Sequence, residues 1–264
     1  MSQLELKTAT IFYEASEHLH TRPVVTLVNG HTRSSKDFRL LAKNLHSRGF
    51  STLSLDNRGS GQTRVSGPFS FEDMAEDIIH LWRHLGISRS HLLGISMGGM
   101  ICQRVAALRS DMVSSLILIS TMPSNKWITP HASLTWGTSL ETVHHKLNYY
   151  FDPSFNVRNK LLVDAMAKQI FAAIREGTFS QDAHSQRKAM AAVVDLTALD
   201  ESISCPTLII HGETDQIIDP EASRQLSLHI KGSRLELIKN CGHLLLAECP
   251  QLLYTMVIEF CSET

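Results

Sequence analysis

Three residue types that together can activate a hydroxyl stand at turn positions in this 264-residue chain: Ser96, Asp215 and His243. A serine hydroxyl is a weak nucleophile at neutral pH, so it needs a neighbouring base, and that base needs a third group to hold its tautomer. Ser96 lies in Gly94-Ile95-Ser96-Met97-Gly98-Gly99, after the short apolar run His91 to Ile95 and before Met100, Ile101, Val105, Ala106 and Leu108, which recur at helical spacing. A strand that reverses directly into a helix compresses its backbone, which demands small residues two before and two after the turn, as at Gly94 and Gly98. Such a turn presents the Ser96 hydroxyl clear of the sheet. The helix start beside it offers free N–H groups and the positive end of a dipole to a developing oxyanion. Asp215 closes His211-Gly212-Glu213-Thr214-Asp215 after the apolar run Thr207 to Ile210, and His243 closes Asn240-Cys241-Gly242-His243 after Leu235 to Ile238. The order serine, aspartate, histidine, each just past a strand, brings all three side chains to one edge of a sheet. The chemistry expected of them is acyl transfer, with Ser96 attacking, His243 moving the proton and Asp215 orienting His243. Asp219 is a rival acid, but Asp219-Pro220-Glu221 reads as an N-cap, a proline at the first helical position and a first-turn carboxylate.

The elements that must hold these residues repeat a strand-then-helix rhythm. Alternating stretches at Leu4 to Thr10 and Ile11 to Ala15 predict an opening pair of strands. Val24 to Val28 is a continuous apolar run ending at Asn29-Gly30, and Phe38, Leu41, Ala42 and Leu45 supply the helical stripe that follows. Thr52 to Leu55 leads through the turn-rich Asp56 to Gly61 into a helix over Phe71 to Leu85, begun by Ser70 with Asp73 three residues on. Leu116 to Ile119, Thr207 to Ile210 and Leu235 to Ile238 complete the series of buried strands. The fold class expected is therefore α/β, a mostly parallel central sheet with helices on both faces and ligand loops at the carboxyl ends of the strands. Between Met122 and Ser204 the strand rhythm disappears, and helices are expected over Ser139 to Phe151, Val157 to Glu176 and Gln181 to Val194. Residues 1–122 and 205–264 are assigned to the core and 123–204 to a helical cap. Within the cap region, Met122, Trp127, Trp136, Tyr149 and Phe151 are the candidates to line an apolar acyl pocket.

Composition narrows the partners. With 25 basic and 26 acidic residues there is no overall field to draw in nucleic acid or an anionic membrane, so a small-molecule partner is expected. The amino-terminal residues Met1 to Ile11 mix Glu5 and Lys7 with apolar residues and contain neither a signal-like nor a membrane-spanning stretch, which makes the cytoplasm the default location. Five cysteines, without a C-x-x-C pair, argue against a disulfide framework and for reduced thiols. Fourteen histidines invite a metal, yet His18-x-His20 and His144-His145 lack further ligands at recognised spacings, so no metal is expected.

Taken together, Gly94-x-Ser96-x-Gly98-Gly99, Asp56-x-Arg58-Gly59-x-Gly61 and Gly242-His243 followed by Glu248-x-Pro250 make the chain resemble the α/β-hydrolase superfamily over nearly its full length, in the branch of capped esterases, lactonases and C–C hydrolases. The resemblance implies an α/β-hydrolase fold with the insert at the family's usual cap position and no cofactor. It also implies an oxyanion hole built from two backbone N–H groups, that of Met97 and that of the residue after a His-Gly pair. Here the pair is Asn29-Gly30, which makes His31 the second donor by position. The activity expected is that of a carboxylesterase on an ester or lactone substrate. Ser96 in place of an aspartate argues against a dehalogenase, and Ile95 before the serine, where C–C hydrolases carry Asn, disfavours that branch. Enol-lactonase and cofactor-free perhydrolase activities stay open, as does a ligand receptor that turns over slowly on the same scaffold.

Overall fold

The central parallel strands of the sheet send alternate side chains into two different cores, which is why they are built from continuous apolar runs. The computed structural model describes residues 2–134, 136–177, 182–193 and 195–264. The strands are β1 (Ser2–Glu5), β2 (Ala9–Ala15), β3 (Val24–Val28), β4 (Ser51–Leu55), β5 (Arg64–Val65), β6 (Ser90–Ile95), β7 (Val113–Ile119), β8 (Thr207–Gly212) and β9 (Arg234–Ile238). They form one nine-stranded sheet in the order β1-β2-β4-β3-β6-β7-β8-β9, with β5 on the edge of β2. Pairing is antiparallel from β1 through β2 to β4 and parallel from β4 to β9. Val24, Val28, Leu92, Leu116, Leu118 and Ile209 enter the core on one face. Their neighbours Val25, Leu27, Leu93, Ile117, Ile119, Leu208 and Ile210 enter the core on the other.

The first face is covered by α2 (Phe71–His84), α3 (Met97–Leu108) and α9 (Glu221–His229), the second by α1 (Arg39–Ser47), α10 (Leu245–Glu248) and α11 (Pro250–Glu263). The Ser70 cap of α2 is a full capping box: Asp73 N–H donates to the Ser70 hydroxyl at 3.1 Å and the Asp73 carboxylate accepts from Ser70 N–H at 2.7 Å. Between β7 and β8 the insert carries α4 (Leu140–Asn148), α5 (Pro153–Arg158), α6 (Lys160–Arg175), α7 (Ala183–Ala192) and α8 (Thr197–Asp200). Val143, Leu147, Phe151, Phe155, Val163, Ala167 and Ile170 form its own buried cluster. No helix among the described residues is long and apolar enough to cross a membrane.

Three expectations change. The first strand ends at Glu5 instead of Thr10, because the chain reverses through Leu6 to Thr8, where Leu6 N–H donates to Ala9 C=O at 2.8 Å, and Thr10 already belongs to β2. The helix expected over Val157 to Glu176 is two helices broken at Asn159 (φ −119°, ψ 32°), the first started upstream by Pro153 with Asp152 accepting from Ser154 and Phe155 N–H. Of the helix expected over Gln181 to Val194, Ala183–Ala192 is helical, and the two expected ends lie outside the described residues.

At the end of α8 the carboxyl group of Asp200 is fully buried, and neither oxygen has a hydrogen-bond partner among the described residues. Burial, with the charge of Asp195 adding to it, pushes its pKa up to about 8. An unfolded aspartate ionises near pH 4, so across the interval up to about 8 the folded chain holds a proton that the unfolded chain has released. Stability from this group is full at the acid end and is lost as pH rises towards 8. Asp200→Asn does not titrate. Its melting temperature relative to wild type is expected to rise between about pH 5 and about pH 8, following a slope of up to about 1.4 kcal/mol per pH unit. A constant gap across that range in a thermal-shift series would show that Asp200 is ionised in the fold.

Candidate active site

The turn between β6 and α3 is tight enough to determine its own composition. Ser96 sits at φ 54°, ψ −123°, a strained conformation for a residue with a side chain. A Cβ on Gly94 would lie 2.4 Å from Gly98 C=O oxygen, and one on Gly98 would lie 2.2 Å from Val28 C=O oxygen, so neither position accepts alanine without moving backbone. The strain is held from both sides: Ser96 N–H donates to Ile119 C=O at 2.9 Å, and Ser96 C=O accepts from the Thr121 hydroxyl at 2.7 Å and from Gly99 N–H at 2.9 Å. The Ser96 hydroxyl has no hydrogen-bond partner among the described residues and faces a cavity of about 180 Å³.

His243 reaches the same cavity from the loop after β9. Its Nδ1–H donates to Asp215 Oδ2 at 2.7 Å, which leaves the Nε2 lone pair free on the cavity side. Asp215, in the loop after β8, is completely buried as a side chain, yet all of its acceptor capacity is used. Oδ1 accepts from Ile217 N–H at 2.7 Å and Ile218 N–H at 3.0 Å, and Oδ2 accepts a second histidine, His211 Nε2–H, at 3.0 Å. Burial alone would raise its pKa; the proximity of His243 and the hydrogen bonds from His211 and His243 outweigh that and hold it well below the usual carboxylate range. His211 is a residue that the sequence reading missed as part of the site. Its Nε2 contacts two acceptors, Asp215 and Ile218 C=O, so the proton is on Nε2 and Nδ1 accepts from the Ser223 hydroxyl at 2.6 Å. A histidine in a strand is an unremarkable sequence signal; only its spacing of four from Asp215 hinted at contact.

On the other side of Ser96 lies the Asn29-Gly30-His31 turn, close enough that a Cβ on Gly30 would be 3.2 Å from Ser96 Cβ. Asn29 stands where the resemblance called for histidine, and it braces the turn completely. Its Nδ2 donates to Ser34 C=O at 2.7 Å and to Asp37 at 2.9 Å, its Oδ1 accepts from Gly30 N–H at 2.8 Å, and its C=O accepts from Asn57 at 2.8 Å. The backbone N–H groups of His31 and Met97 donate to no acceptor among the described residues. The His31 ring is turned away, with Nε2–H donating to Ala183 C=O at 3.0 Å, and burial lowers its pKa. Asp56 and Arg58 organise the neighbouring loop: Asp56 accepts from Ser35 and Gln62 N–H, and Arg58 makes a buried two-pronged pair with Asp77 at 2.7 and 2.8 Å.

Of the five residues expected to line an acyl pocket, Met122 alone lines the cavity that holds Ser96 and His243. Trp127 packs at the margin of the sheet core, and its neighbour Ile128 lines the cavity instead; the antiparallel bridge Ile128 to Ile218 holds this stretch extended, where adjacent side chains point to opposite sides. Trp136 stacks on Tyr150 beneath the Lys146 ammonium, Tyr149 stacks on His131, and Phe151 is fully buried against Phe155 in the insert's own core. Between them Tyr150 turns inward, its ring centroid 5.6 Å from that of His243 in an edge-on arrangement, and its C=O accepts from His243 N–H at 2.8 Å. Burial, aided by Asp215, pushes the Tyr150 hydroxyl up to about 12, so it stays protonated. Ala132, Met190, Ile217 and Ile218 complete the apolar wall, and Arg187 stands among them.

A family model described as serine aminopeptidase, S33, matches residues 20–250. Proline iminopeptidase PfmaB of Pestalotiopsis fici is 26% identical over 260 residues, covering 91% of this chain and 92% of that protein. Polyketide synthase ThaQ of Burkholderia thailandensis is 29% identical over 251 residues, which span 92% of this chain but 12% of the synthase. MGS-M2, an α/β hydrolase enzyme from a Medee basin deep-sea metagenome library, shares the fold with a TM-score of 0.89 at 24% identity, over 100% of this chain and 98% of that one.

One amide makes three of the bonds that tie the insert to the serine side of the site. Gln186 on α7 is fully buried: its Oε1 accepts from Thr32 N–H at 2.9 Å, and its Nε2 donates to Arg58 C=O at 2.8 Å and to the Ser60 hydroxyl at 2.7 Å. Gln186→Leu strands the Thr32 donor and the Arg58 acceptor in a dry site, so a loss of about 3 kcal/mol is expected in urea unfolding. A loss below about 1 kcal/mol would mean that water replaces the amide.

Proposed function

The chain belongs to the family described by the serine aminopeptidase, S33, model, within the α/β-hydrolase superfamily, and from that membership we propose that it is a serine carboxylesterase acting on small to medium apolar acyl esters or lactones. The observation that carries this reading is the 2.7 Å bond from His243 Nδ1 to the buried Asp215 carboxylate, with the opposite ring nitrogen uncommitted in the cavity that holds the Ser96 hydroxyl.

In the proposed mechanism, His243 Nε2 takes the proton as Ser96 Oγ attacks the ester carbonyl. The charge that develops on the carbonyl oxygen is met by the N–H groups of His31 and Met97, which have no other acceptor. Asp215 holds His243 in the tautomer that can accept, and it stabilises the imidazolium formed. The proton then passes to the departing alcohol oxygen. Water, deprotonated by the same nitrogen, releases the acid and restores Ser96. A lactone follows the same steps, its alcohol remaining attached to the acyl chain. Residues 123–204 act as the cap over core residues 1–122 and 205–264, and the apolar wall from Met122, Ile128, Met190, Ile217 and Ile218 supports acyl groups of modest size.

Ser96→Ala is expected to fold and to lose at least about a thousandfold in kcat on simple esters, and Asp215→Asn about as much, while fluorophosphonate labels wild type at Ser96. Label on another serine, or near-wild-type turnover by folded Ser96→Ala, would overturn the assignment. Turnover also separates an enzyme from a slow receptor, because an enzyme releases many equivalents of acid per chain.

Acyl selectivity should follow the wall as built. Ile128→Ala is expected to change the ratio of kcat/KM between long and short acyl esters by about tenfold, and Trp127→Phe by less than about twofold. The reverse order would place the acyl pocket on the tryptophan side.

A further inference from the structure

We propose that Arg187 makes this cavity selective for esters or lactones that carry a free carboxylate, which its guanidinium holds while the ester carbonyl lies at Ser96; the proposal rests on the esterase reading above. Arg187 lines the same cavity as Ser96 and His243, and it makes no hydrogen bond or ion pair with any described residue. The other arginines near the site are committed, Arg58 to Asp77 and Arg33 to Asp37. No acidic side chain lines the cavity. Asp215, the acid that holds His243, is wholly taken up by His243, His211 and two backbone amides. Arg187 is therefore an exposed cation that lines an apolar chamber, with no acidic partner among the described residues.

Its position is also held. Gln186, the preceding residue, is locked by three hydrogen bonds to the loops after β3 and β4, and Ala183 C=O, one helical turn earlier, accepts from His31. The helix that carries the guanidinium is thus fastened to the turn that bears the His31 amide. The field of Arg187 reaches across the chamber: together with burial it lowers the pKa of His31 and brings that of Lys146 down to about 8. Lys146 is spoken for by Ala132 and Leu134 C=O and by the Trp136 ring. Among the described lysines and arginines around the cavity, Arg187 is left to meet an anion, and a planar guanidinium suits a carboxylate with two parallel N–H···O bonds.

The test compares matched pairs of substrates. Monomethyl glutarate against dimethyl glutarate puts the charge on the acyl side, and acetoxyacetate against its methyl ester puts it on the alcohol side. Wild type is expected to favour the charged member of at least one pair, and Arg187→Gln to lower that charged-to-neutral ratio of kcat/KM by about tenfold, chiefly through KM. Arg187→Glu is expected to lower it further, and 0.5 M salt to shrink the wild-type preference, on the grounds of screening. The pair that responds identifies which side of the ester faces α7. If Ser96-dependent hydrolysis of the neutral esters is present but the ratios are the same in wild type and both variants, the assignment of Arg187 fails and the esterase reading stands. If wild type hydrolyses neither member of either pair, or Ser96→Ala matches it, the esterase reading itself has failed. Unchanged melting of Arg187→Gln excludes misfolding as the cause of a lost ratio.

Discussion

A single negative charge, the Asp215 carboxylate, is taken completely out of water, and much of the upper edge of the sheet is arranged around keeping it there. An ion in such a place is expensive by several kcal/mol unless its oxygens are satisfied. Here four donors satisfy them, two backbone amides on Oδ1 and two imidazoles on Oδ2. Each donor has a second consequence. The amides belong to Ile217 and Ile218, whose side chains form part of the cavity wall, and Ile218 is also bridged to Ile128 at the start of the insert. One imidazole is His243, held for chemistry. The other is His211, which links the carboxylate to Ser223 on α9. Orientation of His243, the shape of the apolar cavity wall and the docking of a helix thus share one anchor, and the depressed pKa of the carboxylate records how favourably the ionised form is solvated by protein.

The serine is held by a different kind of constraint, steric instead of electrostatic. Backbone from β3, β6 and α3 converges so closely that a methyl group at Gly94 or Gly98 would overlap a carbonyl oxygen. The strained torsions of Ser96 persist because Ile119, Thr121 and Gly99 bind its backbone from three directions. The parallel register that places β3 and β7 on either side of β6 is therefore what makes the turn possible, and the two faces of packed aliphatic side chains secure that register.

This division explains what could be read from the residues alone. Strands buried on both faces announce themselves as apolar runs, and glycine spacing around Ser96 announces a backbone collision, so the sheet, the turn and the chain order of Ser96, Asp215 and His243 were legible in advance. The insert was not. Tyr149, Tyr150 and Phe151 are three consecutive aromatic residues just beyond α4, and where the chain is neither helix nor strand no period says which one turns inward; the structure selects Tyr150. Trp127 and Ile128 differ likewise through an isolated bridge to a residue ninety positions on. Asn29 looked like a departure from the expected histidine, yet its amide, being both donor and acceptor, closes the turn on itself in a way that depends on Ser34, Asp37 and Asn57 being near. Those are tertiary facts.

The last link joins the two halves of the site. An insert whose contacts with the sheet were only apolar would slide across it at little cost, because such contacts are non-directional. Gln186 does not allow that on the α7 side, since its amide must meet Thr32, Arg58 and Ser60 at once, and Asp182 N–H adds a further bond to Gly59 C=O at 3.0 Å. Thr32 follows His31 directly, and the fixed Thr32 amide therefore constrains the turn that offers the His31 N–H to the cavity. Across the cavity, the insert meets His243 through Tyr150 C=O, which accepts both His243 and Leu244 N–H. The insert consequently touches the serine side and the histidine side by directional bonds to backbone. Any movement of α7 that altered the chamber would also disturb the turn beside Ser96, so the wall of the chamber is mechanically continuous with that turn.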